Sequence, residues 1–348
     1  MDLSFSTGGI FGIAADCLLL IIGLVLIIKG GDMFVDASVA VARALRVPEI
    51  VIGATVVSIG TTLPEIITSA TSVVKGMAAN DAALTAGYNS LAVGNAVGSM
   101  MCNAGLILGI VILARSPRAG KGFAVKGLFL IAVTAVLSVF SFTGGSISLF
   151  EGIALLALFI VFTGINIYDA SASSRVEATG TKFSGVVAEV LPKEKIKAKD
   201  VAFFALGAAA IALGATLLVD NAQSLCLGAG IPQQLVGITV VAIGTSLPEL
   251  ATALTSLKKG ASDIGLGNII GANVINATLL LGLVACITGS ALPIDNVTKN
   301  VAVWVSLAIT AILVLPSVFT GKTYRLQGFA MLALYLGFIV YNAVIIVI

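Results

Sequence analysis

Gly53 to Ser69 reads GATVVSIGTTLPEIITS, and 184 positions later Gly237 to Ala253 reads GITVVAIGTSLPELATA. Eleven of the seventeen aligned residues are identical, including the Gly-Thr-x-Leu-Pro-Glu core. Each copy sets a glutamate, Glu65 or Glu249, within an apolar run long enough to cross a bilayer. A charge at that depth costs roughly 3 kcal/mol or more on insertion scales, so ionisable groups there mark ion or substrate paths. A single Pro-Glu in an apolar helix could be read as a kink with an interfacial charge. Two copies at mid-span point instead to a pair of carboxylates presented to a cation.

The composition sets the solvent. Of the 348 residues, 58% are hydrophobic and 10% charged, with a mean hydropathy of +1.12, which is a polytopic membrane protein and not a soluble domain. The net charge of +2 gives no reason to expect nucleic acid as a partner, since the positive residues fall in loops. The four cysteines, Cys17, Cys102, Cys226 and Cys286, lie in apolar segments without zinc-site spacing and read as small hydrophobes in packed helices. The chain has no histidine, which removes His-ligated metal centres and His-based catalytic triads. The first residues lack a positive region and a small-residue cleavage site, so no removable signal peptide is expected.

Ten apolar spans follow one another, at about 12–42, 48–74, 85–114, 121–141, 147–168, 201–228, 233–257, 262–289, 298–316 and 327–347. The Gly30-Gly31 pair suggests a bend in the first. Asp169 to Asp200 is the one long hydrophilic segment, of mixed charge and small residues, and reads as a linker. If the chain starts on one side, sixteen lysines and arginines fall on the opposite side, against Lys75 and Lys299 on the starting side. That bias predicts a cytoplasmic linker and both termini outside. The glutamate motifs stand in spans two and seven, five crossings apart, so they enter the membrane from opposite faces. The expected architecture is all-α, ten transmembrane helices in two inverted repeats of five: 1–168, a cytoplasmic linker 169–200, and 201–348. Asp36 and Asp220 share the 184-residue offset, as do Lys75-Gly76 and Lys259-Gly260. The two aspartates are expected near the cytoplasmic interface, while Asp16 and Asp32 receive no role.

A second pair of motifs follows the first. Gly94 to Gly109 reads GNAVGSMMCNAGLILG and Gly267 to Gly282 reads GNIIGANVINATLLLG, at an offset shortened to 173 by eleven extra residues around Met77 to Ser90. Asn103 and Asn276 each lie four residues after Ser99 and Ala272, on the same helical face. Gly94, Gly98, Gly267 and Gly271 are read first as close-packing positions. Asn95 and Asn268 can bridge helices or share in an ion site. Pro64 and Pro248 cannot donate to Gly60 and Gly244 and so loosen each helix beside its glutamate. Carbonyls freed in a bilayer need a partner, and a hard cation bound by carboxylate, carbonyl and hydroxyl oxygens supplies one.

These segments resemble the alpha repeats of the cation/Ca2+ exchanger superfamily, and the sodium/calcium exchangers in particular. The resemblance covers the transmembrane chain through GTTLPE with GNAVGSMMCN and GTSLPE with GNIIGANVIN. It implies that Glu65 and Glu249 are the central Ca2+ ligands, helped by the backbone carbonyls of Thr61 and Thr245. It implies that Ser58, Thr62, Ser99, Asn103, Thr245, Ser246 and Asn276 line flanking Na+ sites, and that the first and sixth spans slide across the bundle. Many members have serine at Ala272 and some have aspartate at Asn276, while Ala242 stands where the first repeat has Ser58.

The expected function is Na+/Ca2+ antiport by alternating access, electrogenic, in an inner or plasma membrane. Its partners are the two ions and the bilayer; no enzyme activity and no cofactor are expected. An H+/Ca2+ exchanger of the same superfamily is the alternative. An intramembrane hydrolase lacks its motifs here, and a channel fits inverted repeats less well than a carrier.

Overall fold

Apolar helices dominate because in a bilayer every backbone donor and acceptor must be satisfied within the segment itself. The computed structural model describes residues 10–44, 58–117, 119, 121–178, 197–258 and 262–347. The first half contains α1 (Ile10–Ala44), α2 (Ser58–Thr61), α3 (Leu63–Ala78), α4 (Ala82–Met101), α5 (Gly109–Arg115), α6 (Lys121–Gly144) and α7 (Leu149–Ala178). The second contains α8 (Ala198–Ala229), α9 (Gln233–Val236), α10 (Ala242–Thr245), α11 (Leu247–Lys258), α12 (Ser262–Ile275), α13 (Leu281–Thr288), α14 (Val303–Thr320) and α15 (Arg325–Val347). Wide-turn π segments at Cys102–Leu108, Gly237–Val241, Asn276–Leu280 and Thr298–Ala302 join or open several of these. Among the described residues eight helices are long and apolar enough to cross a membrane, or nine if the bent pair Gln233–Thr245 and Leu247–Leu254 is one span. The expected span 48–74 begins outside the described residues; α2 and α3 are its described part.

Loop contacts fix the two ends of the bundle. At one end β1 (Ser146–Ile147) pairs antiparallel with β2 (Leu292–Pro293), and Ile294 N donates to Gly145 O at 2.9 Å. At the other end of α6, Ala119 N donates to Gly321 O at 2.9 Å and Thr323 Oγ1 to Pro117 O at 2.8 Å. The helix between those ends is 24 residues long, about 36 Å at 1.5 Å per residue. Gln234 Nε2 donates to Thr298 Oγ1 at 3.0 Å, which places the start of α9 at the β1/β2 end.

Small residues set the helix spacing. With no hydrophobic drive between helices in lipid, close backbone approach supplies the packing. In the pair α1/α8, a Cβ on Gly23 would sit 2.8 Å from Gly214 O, and one on Gly30 would sit 2.9 Å from Gly207 O. Gly207 and Gly214 lie 184 positions after Gly23 and Gly30, so each glycine meets the counterpart of the other. The same crossing recurs at Gly109 with Gly328 and at Gly282 with Gly152. The apolar core is centred on residues 91–112 and 266–285, which are buried almost throughout, while α1 and α8 expose long apolar faces.

α1 runs continuously through Gly30-Gly31, and Gly30 is where the α8 backbone approaches. One expectation changes. Asp36 and Asp220 do not share an interface. Phe34 stacks on Phe204 with centroids 4.5 Å apart, and Asp16 accepts from Ser224 Oγ at 2.6 Å, so α1 and α8 are antiparallel and the two aspartates lie at opposite ends. Asp220 meets Lys75 Nζ at 2.6 Å. The fifth span ends at 168 as expected, while its helix α7 continues beyond it to Ala178.

Candidate functional site

Both glutamate segments break as helices immediately before their prolines. On the first, α2 ends at Thr61, Thr62 is the N-cap of α3, and Pro64 occupies its opening turn. On the second, α10 ends at Thr245, Ser246 intervenes, and α11 sets off at 41° to the preceding segment. Proline tolerates a first turn because no donor is needed there. The loosening expected at Gly60 and Gly244 is thus taken up two residues later, at Thr62 and Ser246. Hydrogen bonding resumes with Ile66 N to Thr62 O and Leu250 N to Ser246 O, both 3.1 Å.

The breaks bring the two halves together around the carboxylates. Glu65 and Glu249 are both fully buried. Ser246 Oγ, from the second motif, donates to Glu65 Oε1 of the first at 3.1 Å. Thr245 Oγ1 donates to Asn95 Oδ1 at 3.2 Å, and Asn95 Nδ2 reaches Ser69 Oγ at 2.9 Å and Glu65 O at 3.2 Å. Ser99 Oγ points at Ala242 O, 3.5 Å away. Gly98 makes this approach possible: a Cβ there would stand 2.5 Å from Ile238 O. Close packing is therefore the role of Gly94 and Gly98, both tight against residues 234–242. Gly267 and Gly271 have no comparable neighbour among the described residues.

Glu65 Oε2, both oxygens of Glu249, and both ends of Asn103 and Asn276 are buried without a hydrogen-bond partner. Buried acceptors in that state cost free energy unless something fills the space between them. The set is rich in oxygen and carries two carboxylates; among the described residues no group of three or more His, Cys, Asp or Glu is placed to hold a metal ion, here or elsewhere. Carboxylate and amide oxygens of this kind suit hard cations. Asn103 is the second residue of the π segment Cys102–Leu108 and Asn276 the first of Asn276–Leu280, positions matched by the 173-residue offset. A π turn displaces side chains from the α register and recurs at functional sites.

The remaining candidates differ in how they are held. Thr61 and Thr62 both turn their hydroxyls back to Ser58 O, at 3.2 and 2.9 Å, and Ser58 is half-buried. Thr61 also adjoins Glu249, as Thr245 adjoins Glu65. One residue escaped the sequence reading. Asn273 donates to Met100 O at 3.0 Å and keeps a buried, unpartnered Oδ1. Its signal was the mismatch between the repeats, where Asn273 stands opposite Met100 beside the Ser99/Ala272 difference.

Comparison with known proteins identifies the family. The family model described as sodium/calcium exchanger protein matches residues 16–168 and 199–344. An inner membrane protein, YrbG, of Escherichia coli (strain K12) is 38% identical over 272 residues, 78% of this chain and 79% of its own. The sodium/calcium exchanger MaX1 of Methanosarcina acetivorans is 29% identical over 94% of this chain and 98% of its own. A solved structure of the sodium-calcium exchanger NCX_Mj, soaked with 10 mM Na+ and 10 mM Sr2+, superposes with a TM-score of 0.63 at 29% identity. That match covers 94% of this chain and 98% of the other.

Proposed function

This chain belongs to the sodium/calcium exchanger protein family of membrane cation/Ca2+ antiporters, and from that premise we propose that it exchanges Na+ for Ca2+ electrogenically by alternating access. The carrying observation is the pair Glu65 and Glu249, buried from opposite motifs with three of four carboxylate oxygens lacking a protein donor. In this reading Glu65 and Glu249 bind Ca2+ with the Thr61 and Thr245 carbonyls. Ser58, Thr62, Ser99, Asn103, Ser246 and Asn276 serve flanking Na+.

Two carboxylates balance one Ca2+ or two Na+. The unpartnered amides of Asn103 and Asn276 and the hydroxyls nearby supply neutral oxygens for a further Na+. The sodium-loaded carrier then bears the larger positive charge, and each net charge moved feels about 2.3 kcal/mol per 100 mV. Buried carboxylates without donors also suit protons, which keeps H+/Ca2+ exchange as the second reading.

The crossed glycine contacts support two inverted repeats, 1–168 and 201–348, joined by 169–200. Ten spans, outside termini and a cytoplasmic linker complete the proposal, on the lysine and arginine bias. The deciding experiment clamps the potential of proteoliposomes with valinomycin during Na+-driven Ca2+ uptake. A lumen-positive potential should speed uptake and a lumen-negative one slow it. Rates indifferent to the clamp would mean two Na+ per Ca2+. Uptake driven by a pH gradient alone would mean the proton reading.

A further inference from the structure

The polar character of α3 does not stop at Glu65. Thr68, Ser72 and Lys75 follow at i+3, i+7 and i+10, within one stripe of the helix surface. Thr68 and Ser72 are buried. Ser72 Oγ donates to Tyr88 O at 2.7 Å, whereas Thr68 Oγ1 is buried without a partner. The stripe ends where Lys75 Nζ meets Asp220 Oδ1 of α8 at 2.6 Å, with the lysine side chain 21% exposed and the aspartate 2%. One turn along α8, Ser224 donates to Asp16 of α1, so this end of α8 carries one buried acid and meets another.

Both partners of the ion pair recur in the sequence. Glu249 is followed by Thr252, Ser256 and Lys259, and Asp36 stands 184 positions before Asp220. Lys259 lies outside the described residues, and the inference uses only its place in the sequence. Packing residues such as Gly23 and Gly30 return at the same offset, so the recurrence by itself only places a like pair in the opposite half. What a packing contact leaves unexplained is the buried, unpartnered Thr68 hydroxyl between this pair and Glu65.

We propose that Lys75 and Asp220 form a latch closing the Thr68–Ser72 stripe at their end of the bundle, and that this stripe is the route by which cations reach Glu65 from that side. The lysine ammonium occupies Asp220 as a tethered cation. When α3 and α8 separate there, an entering Na+ or Ca2+ meets first the Asp220 carboxylate, then the Ser72 and Thr68 hydroxyls, then Glu65. The route serves the exchange proposed above and rests on that reading.

The test labels a single cysteine, Thr68→Cys, in a chain whose four native cysteines are replaced, using a membrane-impermeant cationic thiosulfonate. The compartment from which Lys75→Cys is labelled identifies the relevant side. With the latch intact, Thr68→Cys should react slowly from that side. Adding Lys75→Gln or Asp220→Asn should raise the rate tenfold or more, and Lys75→Asp combined with Asp220→Lys should bring it back to within about threefold of the parent. Unchanged labelling in both single variants overturns the latch, as does acceleration that the swapped pair fails to reverse. If Asp220→Asn does not give a monodisperse protein, Lys75→Gln decides alone, because Lys75 sits in the last turn of its helix. Labelling requires no ion flux. A parent protein without Na+-driven Ca2+ uptake would remove the exchange reading, while the labelling ratios would still judge the latch.

Discussion

Substituting alanine at Gly30 and at Gly31 separates packing from hinging in α1. A Cβ on Gly30 would lie 2.9 Å from Gly207 O, 2.9 Å from Ala210 Cβ and 3.0 Å from Ile211 N. Ordinary contact begins near 3.4 Å, so α1 and α8 must part by a few tenths of an ångström along a seam that Gly23 and Gly214 also hold tight. Overpacking of this kind costs about 1–3 kcal/mol, offset by up to about 1 kcal/mol from the better helix propensity of alanine. A Cβ on Gly31 meets nothing within 4 Å among the described residues, leaving only the propensity gain. The two adjacent variants should therefore differ by about 1–3 kcal/mol. At roughly 2–4 °C per kcal/mol, the apparent unfolding midpoint of Gly30→Ala should fall several degrees below that of Gly31→Ala. Thermal scans in detergent, followed by size-exclusion of the surviving protein, read this directly. Equal midpoints, or Gly31→Ala as the weaker protein, would mean that the pair is a hinge and the seam is not tight.

Other perturbations address the site itself. Glu65→Gln and Glu249→Gln should each abolish Ca2+ exchange while leaving the protein monodisperse in detergent; normal exchange in either removes that glutamate from the mechanism. Ser246→Ala removes the hydroxyl on Glu65 Oε1, a charge-assisted bond of about 1.5–3 kcal/mol, and flux assays should show the half-saturating Na+ concentration rising by roughly tenfold to a hundredfold. Asn95→Ala removes the bonds to Thr245 Oγ1, Ser69 Oγ and Glu65 O, leaving the two hydroxyls only their bonds to Ala242 O and Ala92 O, and thermal scans should show a loss of about 1–3 kcal/mol. A cysteine at Ser184 should react with an impermeant maleimide only after intact cells are permeabilised.

Much of this molecule is legible in its sequence because a bilayer allows few solutions. Apolar runs could only become helices, and the doubled Gly-Thr-x-Leu-Pro-Glu motif marked where those helices break. The glutamates and Asn103 and Asn276 were readable because polar residues are expensive at such depth. What the sequence hid depends on direction and distance between helices. The Gly30-Gly31 pair suggested a bend, and what the sequence could not reveal is that α8 approaches at Gly30. Asp36 and Asp220 were placed at one face because their shared offset was read as likeness of position, whereas the antiparallel pairing of α1 and α8 sends them to opposite ends. Asn273 went unnoticed because it breaks the repeat, and a search for recurrence passes over what occurs once.

The central claim is that a Na+ gradient drives Ca2+ through a site built on Glu65 and Glu249. Its most direct measurement is uptake of radiolabelled Ca2+ into proteoliposomes of the purified protein, loaded with Na+ and diluted into Na+-free medium, beside a matched set carrying only a pH gradient. The account predicts rapid uptake with the Na+ gradient, none above background with the pH gradient, and none in either case for Glu249→Gln. Uptake that follows the pH gradient and ignores Na+, or that survives loss of the Glu249 charge, would contradict it.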